Sequence, residues 1–249
     1  MNALSAVAEP DVARPQIRSR LASFDWVAIG AELDQQGCAI LPRLLATDEC
    51  DSIAAGYDND AIYRSRVVMA RHGFGRGEYR YYSYPLPALV QDLRDAAYAR
   101  LAPVANRWHE LLRAPERFPR DHHDYLVQCH RAGQCRPTPL ILRYRAGDYN
   151  CLHQDLYGDE VFPLQLAILL SQPERDFSGG EFVLTEQRPR MQSRAAVVPL
   201  QQGDAVVFAV NDRPLCGARG AYRVRMRHGV SRVRSGLRHT LGIIFHDAA

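Results

Sequence analysis

Lysine is absent from the 249 residues. All 31 basic side chains are arginine, set against 28 acidic ones, for a net charge of +3. So small an excess establishes no polyanionic partner, and only a local concentration of arginines could argue for one. The six cysteines, at 38, 50, 129, 135, 151 and 216, include no C-x-x-C pair, which argues against a zinc ribbon or a thioredoxin-like centre. Cys129, His130 and Cys135 could group around a second metal, but thiols in a reducing compartment are the plainer reading. No apolar run reaches the roughly 18 residues of a membrane-crossing helix, and Met1 to Arg20 lacks the apolar centre of a secretory signal. A cytoplasmic protein with no membrane partner is the expectation.

What is present is a 47% hydrophobic chain, enough for an ordinary buried core. Its chemistry concentrates at Cys151-Leu152-His153-Gln154-Asp155. Strand side chains alternate, so His153 and Asp155 project to one side and Gln154 to the other. An imidazole and a carboxylate so placed supply two ligands of a facial 2-His-1-carboxylate site, which leaves three positions of an octahedral Fe(II) open. His228 is the best candidate for the third ligand. Zinc could sit on the same residues, so the triad alone does not decide the metal.

Chance supplies about one H-x-D in a chain of this composition, and a second copy, His122-His123-Asp124, is present. That copy follows Pro119-Arg120-Asp121 without an apolar run and reads as a polar loop or helix start. The context of His153 differs. Leu140-Ile141-Leu142-Arg143-Tyr144 is strand-forming, Gly147-Asp148 signals a turn, and apolar runs of strand length follow at Leu164 to Leu170, Phe182 to Thr185, Ala195 to Val198 and Ala205 to Val210. Short strands at this spacing predict a sandwich or barrel.

Tyr144 nine residues before His153, His153-x-Asp155, the Ser178-Gly179-Gly180-Glu181-Phe182 turn, Gly203-Asp204-Ala205-Val206-Val207-Phe208, His228, and Arg238 ten residues later occur in this order. Over residues 138 to 248 the chain thereby resembles the Fe(II)/2-oxoglutarate-dependent oxygenases, on the prolyl-4-hydroxylase-like branch. More narrowly, Pro137-Thr138-Pro139-Leu140, His153-Gln154-Asp155-Leu156-Tyr157-Gly158 and Arg227-His228-Gly229-Val230-Ser231 resemble a bacterial oxygenase family labelled as acting on damaged nucleic acid.

The resemblance implies a mainly β fold with flanking helices: a double-stranded β-helix core of jelly-roll or cupin type with an N-terminal α-helical elaboration. The expected division is a flexible terminus over 1–20, a helical and mixed elaboration over 21–137, and the oxygenase core over 138–249. His153, Asp155 and His228 become catalytic ligands for Fe(II), with 2-oxoglutarate and O2 as co-substrates and ascorbate as reductant. The implied activity is hydroxylation coupled to decarboxylation of 2-oxoglutarate to succinate and CO2. On a methylated base, the hydroxylated N-methyl group would leave as formaldehyde. The dealkylating oxygenases, however, place their arginine further beyond the distal histidine and add a second one six residues later, where this chain has Ile244. A prolyl-hydroxylase-like peptide or small-metabolite hydroxylase is therefore the alternative. A non-catalytic nucleic-acid-binding protein on the same fold is the reading from another class.

After a turn at Ser235-Gly236, Leu237 to Phe245 reads as the last core strand, with Arg238, Thr240, Gly242 and Ile244 sharing one face. A guanidinium inside an apolar barrel needs an anion. The distal carboxylate of 2-oxoglutarate would match its fork, and a core Asp or Glu is the structural alternative. By the resemblance, Tyr144 and Thr240 hydrogen-bond the same carboxylate, the alternative for Tyr144 being a core aromatic.

Elsewhere, residues 1 to 15 read as a loose terminus, and Phe24 to Gln36 as an amphipathic helix with Trp26, Ile29 and Leu33 on one face. Gly37 to Pro42 reads as a short strand, and Thr47 or Asp48 as the cap of a helix to about Tyr57. Residues 62 to 84 interleave tyrosine and arginine with glycines at 73, 75 and 77. They read as a strand pair covering the core rim, or as a substrate lid able to stack a flipped base. Pro87 to Ala114 predicts one long helix or two broken near Pro103, and Pro115 to Pro139 an irregular stretch. From Arg213 to Arg238 there are eight arginines (213, 219, 223, 225, 227, 232, 234, 238) and no acid, so a positive surface for nucleic acid is expected beside the active site. Whether His246 and Asp247 reach the cavity does not follow from the sequence.

Overall fold

Alternating apolar residues set most of the strands, and the computed structural model, which describes residues 13–218 and 220–249, gathers them into two antiparallel sheets. The larger sheet runs in the order β1 (Cys38–Leu41), β11 (Ala205–Ala209), β7 (Leu164–Leu169), β14 (Val233–Ile243), β5 (Leu140–Arg145), β4 (Glu78–Tyr82), β2 (Tyr63–Val68), with β8 (Phe177–Gly179) paired to β14. The smaller runs β10 (Arg194–Val198), β9 (Phe182–Gln187), β13 (Gly220–Val230), β6 (Tyr149–His153), β3 (Gly75–Arg76), with β12 (Asp212–Gly217) paired to β13. The larger sheet is backed by helices, and the pair of sheets forms the double-stranded β-helix expected from the sequence. Strand β7 is buried at every position, which is why it reads as a continuous apolar run rather than an alternating one.

The helices are set by local chemistry. Helix α1 (Ala13–Ser23) forms where a loose terminus was expected; residues 1–12 of that stretch lie outside the described residues. Helix α2 (Trp26–Gln36) starts at Asp25, whose carboxylate accepts hydrogen bonds from the Val27 and Ala28 amides at 3.0 Å. It buries Ile29 and Leu33 as predicted. Helix α3 (Thr47–Ala55) is capped by neither Thr47 nor Asp48. Its N-cap is Ala46, whose amide donates to the Glu49 carboxylate at 2.8 Å. That is half of a capping box, carried by the residue at the third helical position.

Helix α4 (Ala88–Leu111) continues through Pro103 as one element, its Leu93, Tyr98, Leu101 and Trp108 buried. Helix α5 (His122–Arg131) replaces the irregular stretch expected over 115–139, and His122 begins it after Asp121. It buries His122, Tyr125 and Cys129, an i, i+3, i+7 face whose polar members disguised the period. Cys135, beyond the helix, is exposed while Cys129 is buried. No helix among the described residues is long and apolar enough to cross a membrane.

A charged cluster locks α4 to the end of the last strand. Arg94 and Asp247 are both fully buried and pair at 2.8 Å. The guanidinium also donates to the carbonyls of Ile244, Phe245 and His246. Burial alone would raise the Asp247 carboxyl; Arg94, His130 and Tyr84 together hold it below the usual range. Asp247→Ala should therefore destabilise the protein by about 3–5 kcal/mol, because it strands a buried cation; a melt or denaturant titration against wild type measures this. His246 and Asp247 do not line the cavity: the His246 ring accepts from the Phe162 amide at 3.2 Å.

Candidate active site

Strands β6 and β13 place His153 and His228 directly opposite each other, with ring centroids 4.2 Å apart. Their ladder shifts register between His228 and Val230, and Gly229 permits the approach: a Cβ there would meet the Asn150 carbonyl at 2.7 Å. Asp155, just beyond β6, lies 3.3 Å from each imidazole, Oδ1 from His153 Nε2 and Oδ2 from His228 Nε2. One potential ligand atom from each residue falls within 4.8 Å of the others. Gln154 points away and donates to Asn211 and to the Met226 carbonyl.

The His153 Nδ1 lies 2.8 Å from the Cys151 carbonyl, which makes Nδ1 the protonated nitrogen and leaves the Nε2 lone pair facing Asp155. Burial would lower the His153 pKa, but Asp155 raises it overall, whereas His228 is pushed down by burial. Burial would likewise raise Asp155; the two imidazoles hold it well below the carboxylate range.

The triad opens onto a cavity of about 310 Å³ between the sheets, lined by Tyr144, Arg238 and Thr240 at one end and by Tyr79, Tyr81, Tyr157 and Phe74 on the β4 side. Arg238, 1% exposed, makes no ion pair among the described residues; its Nε has no partner, and Nη1 donates to Thr240 Oγ1 at 2.5 Å. Burial pushes its pKa down to about 10. It lies between the Tyr144 and Phe177 rings, with Cζ 5.6 and 5.7 Å from their centroids. The glycine turn packs closely beside it, since a Cβ on Gly180 would meet the Arg238 side chain at 3.0 Å. The Tyr144 hydroxyl is buried without a well-formed hydrogen bond, with Asn150 the polar side chain beside it. An anion entering this end would find a guanidinium and two hydroxyls that the fold leaves available.

Two cavity residues went unassigned in the sequence. The Tyr157 hydroxyl donates to Asp155 Oδ1 at 2.8 Å; the alternation 153, 155, 157 would have found it. Gln165 on β7 is buried with its Nε2 unpartnered, facing the same cavity.

Most of the arginine run does not form the positive rim expected at the cavity mouth; Arg232 and Arg234 stand apart from the rest, exposed at the β13–β14 turn. Arg213 is fully buried and paired with Glu186, and Arg238 is inside the cavity. On β13, Arg223, Arg225 and Arg227 are exposed while Val224, Met226 and His228 are buried, so those arginines face away from the site. Arg219 lies outside the described residues. The last strand begins at Val233 and runs through Ser235, with Gly236 in the left-handed region instead of a separate turn.

A protein-family model described as an oxygenase catalysing oxidative methylation of damaged DNA matches residues 77–248. The chain belongs to this oxygenase family. An uncharacterised Mycobacterium tuberculosis protein, found in two strains, is 49% identical to the oxygenase over 194 residues, covering 76% of this chain and 83% of the relative. Among solved structures, a Pseudomonas putida prolyl-4-hydroxylase superposes with TM-score 0.54 at 15% identity, covering 90% of this chain and 99% of that one. A Burkholderia pseudomallei oxidoreductase of the 2OG-Fe(II) oxygenase family gives 0.53 at 18%, covering 91% and 94%. A Trichoplax adhaerens prolyl hydroxylase in complex with a hypoxia-inducible-factor peptide gives 0.54 at 12%, covering 96% and 94%. At these identities the structural likenesses bear on the oxygenase's fold alone.

Proposed function

We propose that the oxygenase is an Fe(II)- and 2-oxoglutarate-dependent dioxygenase whose primary substrate is a methylated base in nucleic acid. The observation that carries the co-substrate assignment is Arg238: a buried guanidinium without an ion pair, in the cavity onto which the His153–Asp155–His228 triad opens. Such a charge costs the fold stability until an anion meets it. A dicarboxylate fits, one end held by Arg238, Thr240 and Tyr144 and the other reaching the triad. The triad would hold Fe(II), which when bound supplies the oxidation chemistry. The protein's share is positional. The largely apolar cavity excludes water, the Cys151 carbonyl fixes the His153 tautomer, and Tyr157 orients Asp155. Ascorbate would serve as an external reductant.

The nucleic-acid assignment rests on the family's description and on the aromatic wall of Tyr79, Tyr81 and Tyr157, which suits a planar substrate. The second reading, a peptide or small-metabolite hydroxylase, is favoured by Ile244, which lines the cavity where a second arginine would be needed. Succinate formation by the Fe(II)-loaded protein tests the chemistry. Formaldehyde release from oligonucleotides carrying N-methylated bases, set against a peptide library, tests the substrate.

Tyr157→Phe should weaken Fe(II) or Co(II) binding about tenfold, as loss of an outer partner of a ligating group commonly does. It should also alter the Co(II) absorption spectrum without moving the melting temperature of the metal-free protein by more than a few degrees. An unchanged spectrum and affinity would show that Asp155 needs no such support.

A further inference from the structure

The arginines between residues 64 and 80 are not equivalent. Arg80 is buried and paired with Asp60, and Arg66 is paired with Glu78, which also takes Arg143. Arg64 donates to the Pro137 carbonyl at 2.8 Å and lies over the Tyr81 ring, 4.4 Å from its centroid. Arg71 and Arg76 are exposed and make no side-chain hydrogen bond or ion pair among the described residues. Phe74 stands between them, 48% exposed, and with Gly73 it lines the active-site cavity. His72 stacks on it, with centroids 5.3 Å apart and planes at 23°. No acidic residue occurs from Ala61 to Gly77.

The segment is fixed in place. The Met69 amide donates to the Gly77 carbonyl at 3.0 Å, and the Cys151 amide to the Phe74 carbonyl at 2.9 Å. Strand β3 pairs with Tyr149 and Asn150 of the strand that carries His153. Glycine at 75 permits that contact, because a Cβ there would lie 2.4 Å from the Tyr149 carbonyl. The loop is therefore a built wall of the cavity mouth, and it presents an aromatic ring, with His72 stacked on one face, flanked by two unpaired cations.

We propose that the Met69–Gly77 loop docks a single-stranded nucleic acid, with Phe74 stacking on the base beside the one held in the cavity and Arg71 and Arg76 on the flanking phosphates. This rests on the nucleic-acid reading above. A ring face stacks most readily on the open face of an unpaired base, and a base inside a duplex cannot enter the cavity without leaving its stack. The rival basic surface, Arg223, Arg225 and Arg227, faces away from the cavity, and two of its members lie within 4 Å of Asp212.

Fluorescence anisotropy of the full chain with a labelled single-stranded oligonucleotide bearing one N-methylated base, across a salt series, tests this. Replacing both Arg71→Ser and Arg76→Ser should flatten the slope of log K against log salt by about 1.4, at about 0.7 per phosphate contact. Each single change should remove about half of that, should the double variant fail to fold. Phe74→Leu should weaken binding about tenfold or more while leaving the slope unchanged. Arg225→Ser with Arg227→Ser should bind as wild type does. The proposal is overturned if wild type binds no single strand, if it prefers duplex, if the loop variants keep the wild-type slope, or if the outer-sheet pair flattens it. Formaldehyde release from the same oligonucleotide separates the two readings. Release by wild type with loop variants that bind normally removes the docking loop and leaves the substrate assignment standing; neither release nor binding removes both.

Discussion

Replacing Arg238 with methionine should greatly weaken the response to 2-oxoglutarate while making the ligand-free protein more stable. The two effects share a cause. Burial holds the guanidinium pKa down to about 10 with no ion pair to compensate, a folding cost on the order of 3 kcal/mol at neutral pH. The sign follows from linkage. A base whose folded pKa is depressed destabilises the fold wherever it must stay charged, and the penalty shrinks only as the pH rises past that depressed value. Methionine fills a similar volume without the charge, so melting of the metal-free variant should shift upward. Truncating one partner of a buried charge pair costs about 2–5 kcal/mol, so the dissociation constant for 2-oxoglutarate should rise about 30-fold to several-thousand-fold. Calorimetry with the anaerobic Fe(II)-loaded protein, beside a thermal melt, reads both. An Arg238→Met protein that melts lower and still binds 2-oxoglutarate normally would mean that the guanidinium is a core element with a different purpose.

Asp155→Ala should bring the second large loss. The carboxylate lies 3.3 Å from both imidazoles, so its removal takes away one ligand and the only negative charge of the group, leaving two neutral imidazoles to hold a divalent cation. Succinate formation should fall by at least about a thousandfold, the scale of the several kcal/mol that a bound metal supplies. The Co(II) spectrum of the wild type should disappear with it. pH sharpens the test. Asp155 raises the His153 pKa in the metal-free fold, so a proton must leave before that ring can ligate, and metal affinity in the wild type should climb as pH rises through the His153 titration. In metal-free Asp155→Ala the His153 ring itself should titrate at lower pH, followed by its NMR shifts. Full turnover in the variant would sink the metal assignment.

His153 and Asp155 could be paired from the sequence because alternation over two residues is local, and His228 followed from its spacing to Arg238; the structure sets His228 directly across the ladder from His153. Arg238 could be found for the same reason: its parity with Thr240 and Gly242 put it on the inner face before any coordinates. Parity was also sufficient to sort Arg223, Arg225 and Arg227 away from His228, yet a run of like charges reads as one surface until the strand is drawn. Arg213 could not be placed, because its partner Glu186 is 27 residues away on a strand two places along the sheet order. Helix α5 escaped because its buried face uses His122 in place of an aliphatic residue, and that histidine's value lies in hydrogen bonds to Asp95 and to the Phe245 carbonyl. The cap at Ala46 could not be read from residue preference, since alanine has no capping group.

Residues 153 and 228 sit rung to rung on neighbouring strands, so backbone pairing alone is enough to bring the two imidazoles together. Iron at this position would be a lodger and not a keystone. A chelator should empty the site and leave the architecture upright, and the same vacancy should accept cobalt, nickel or manganese without refolding.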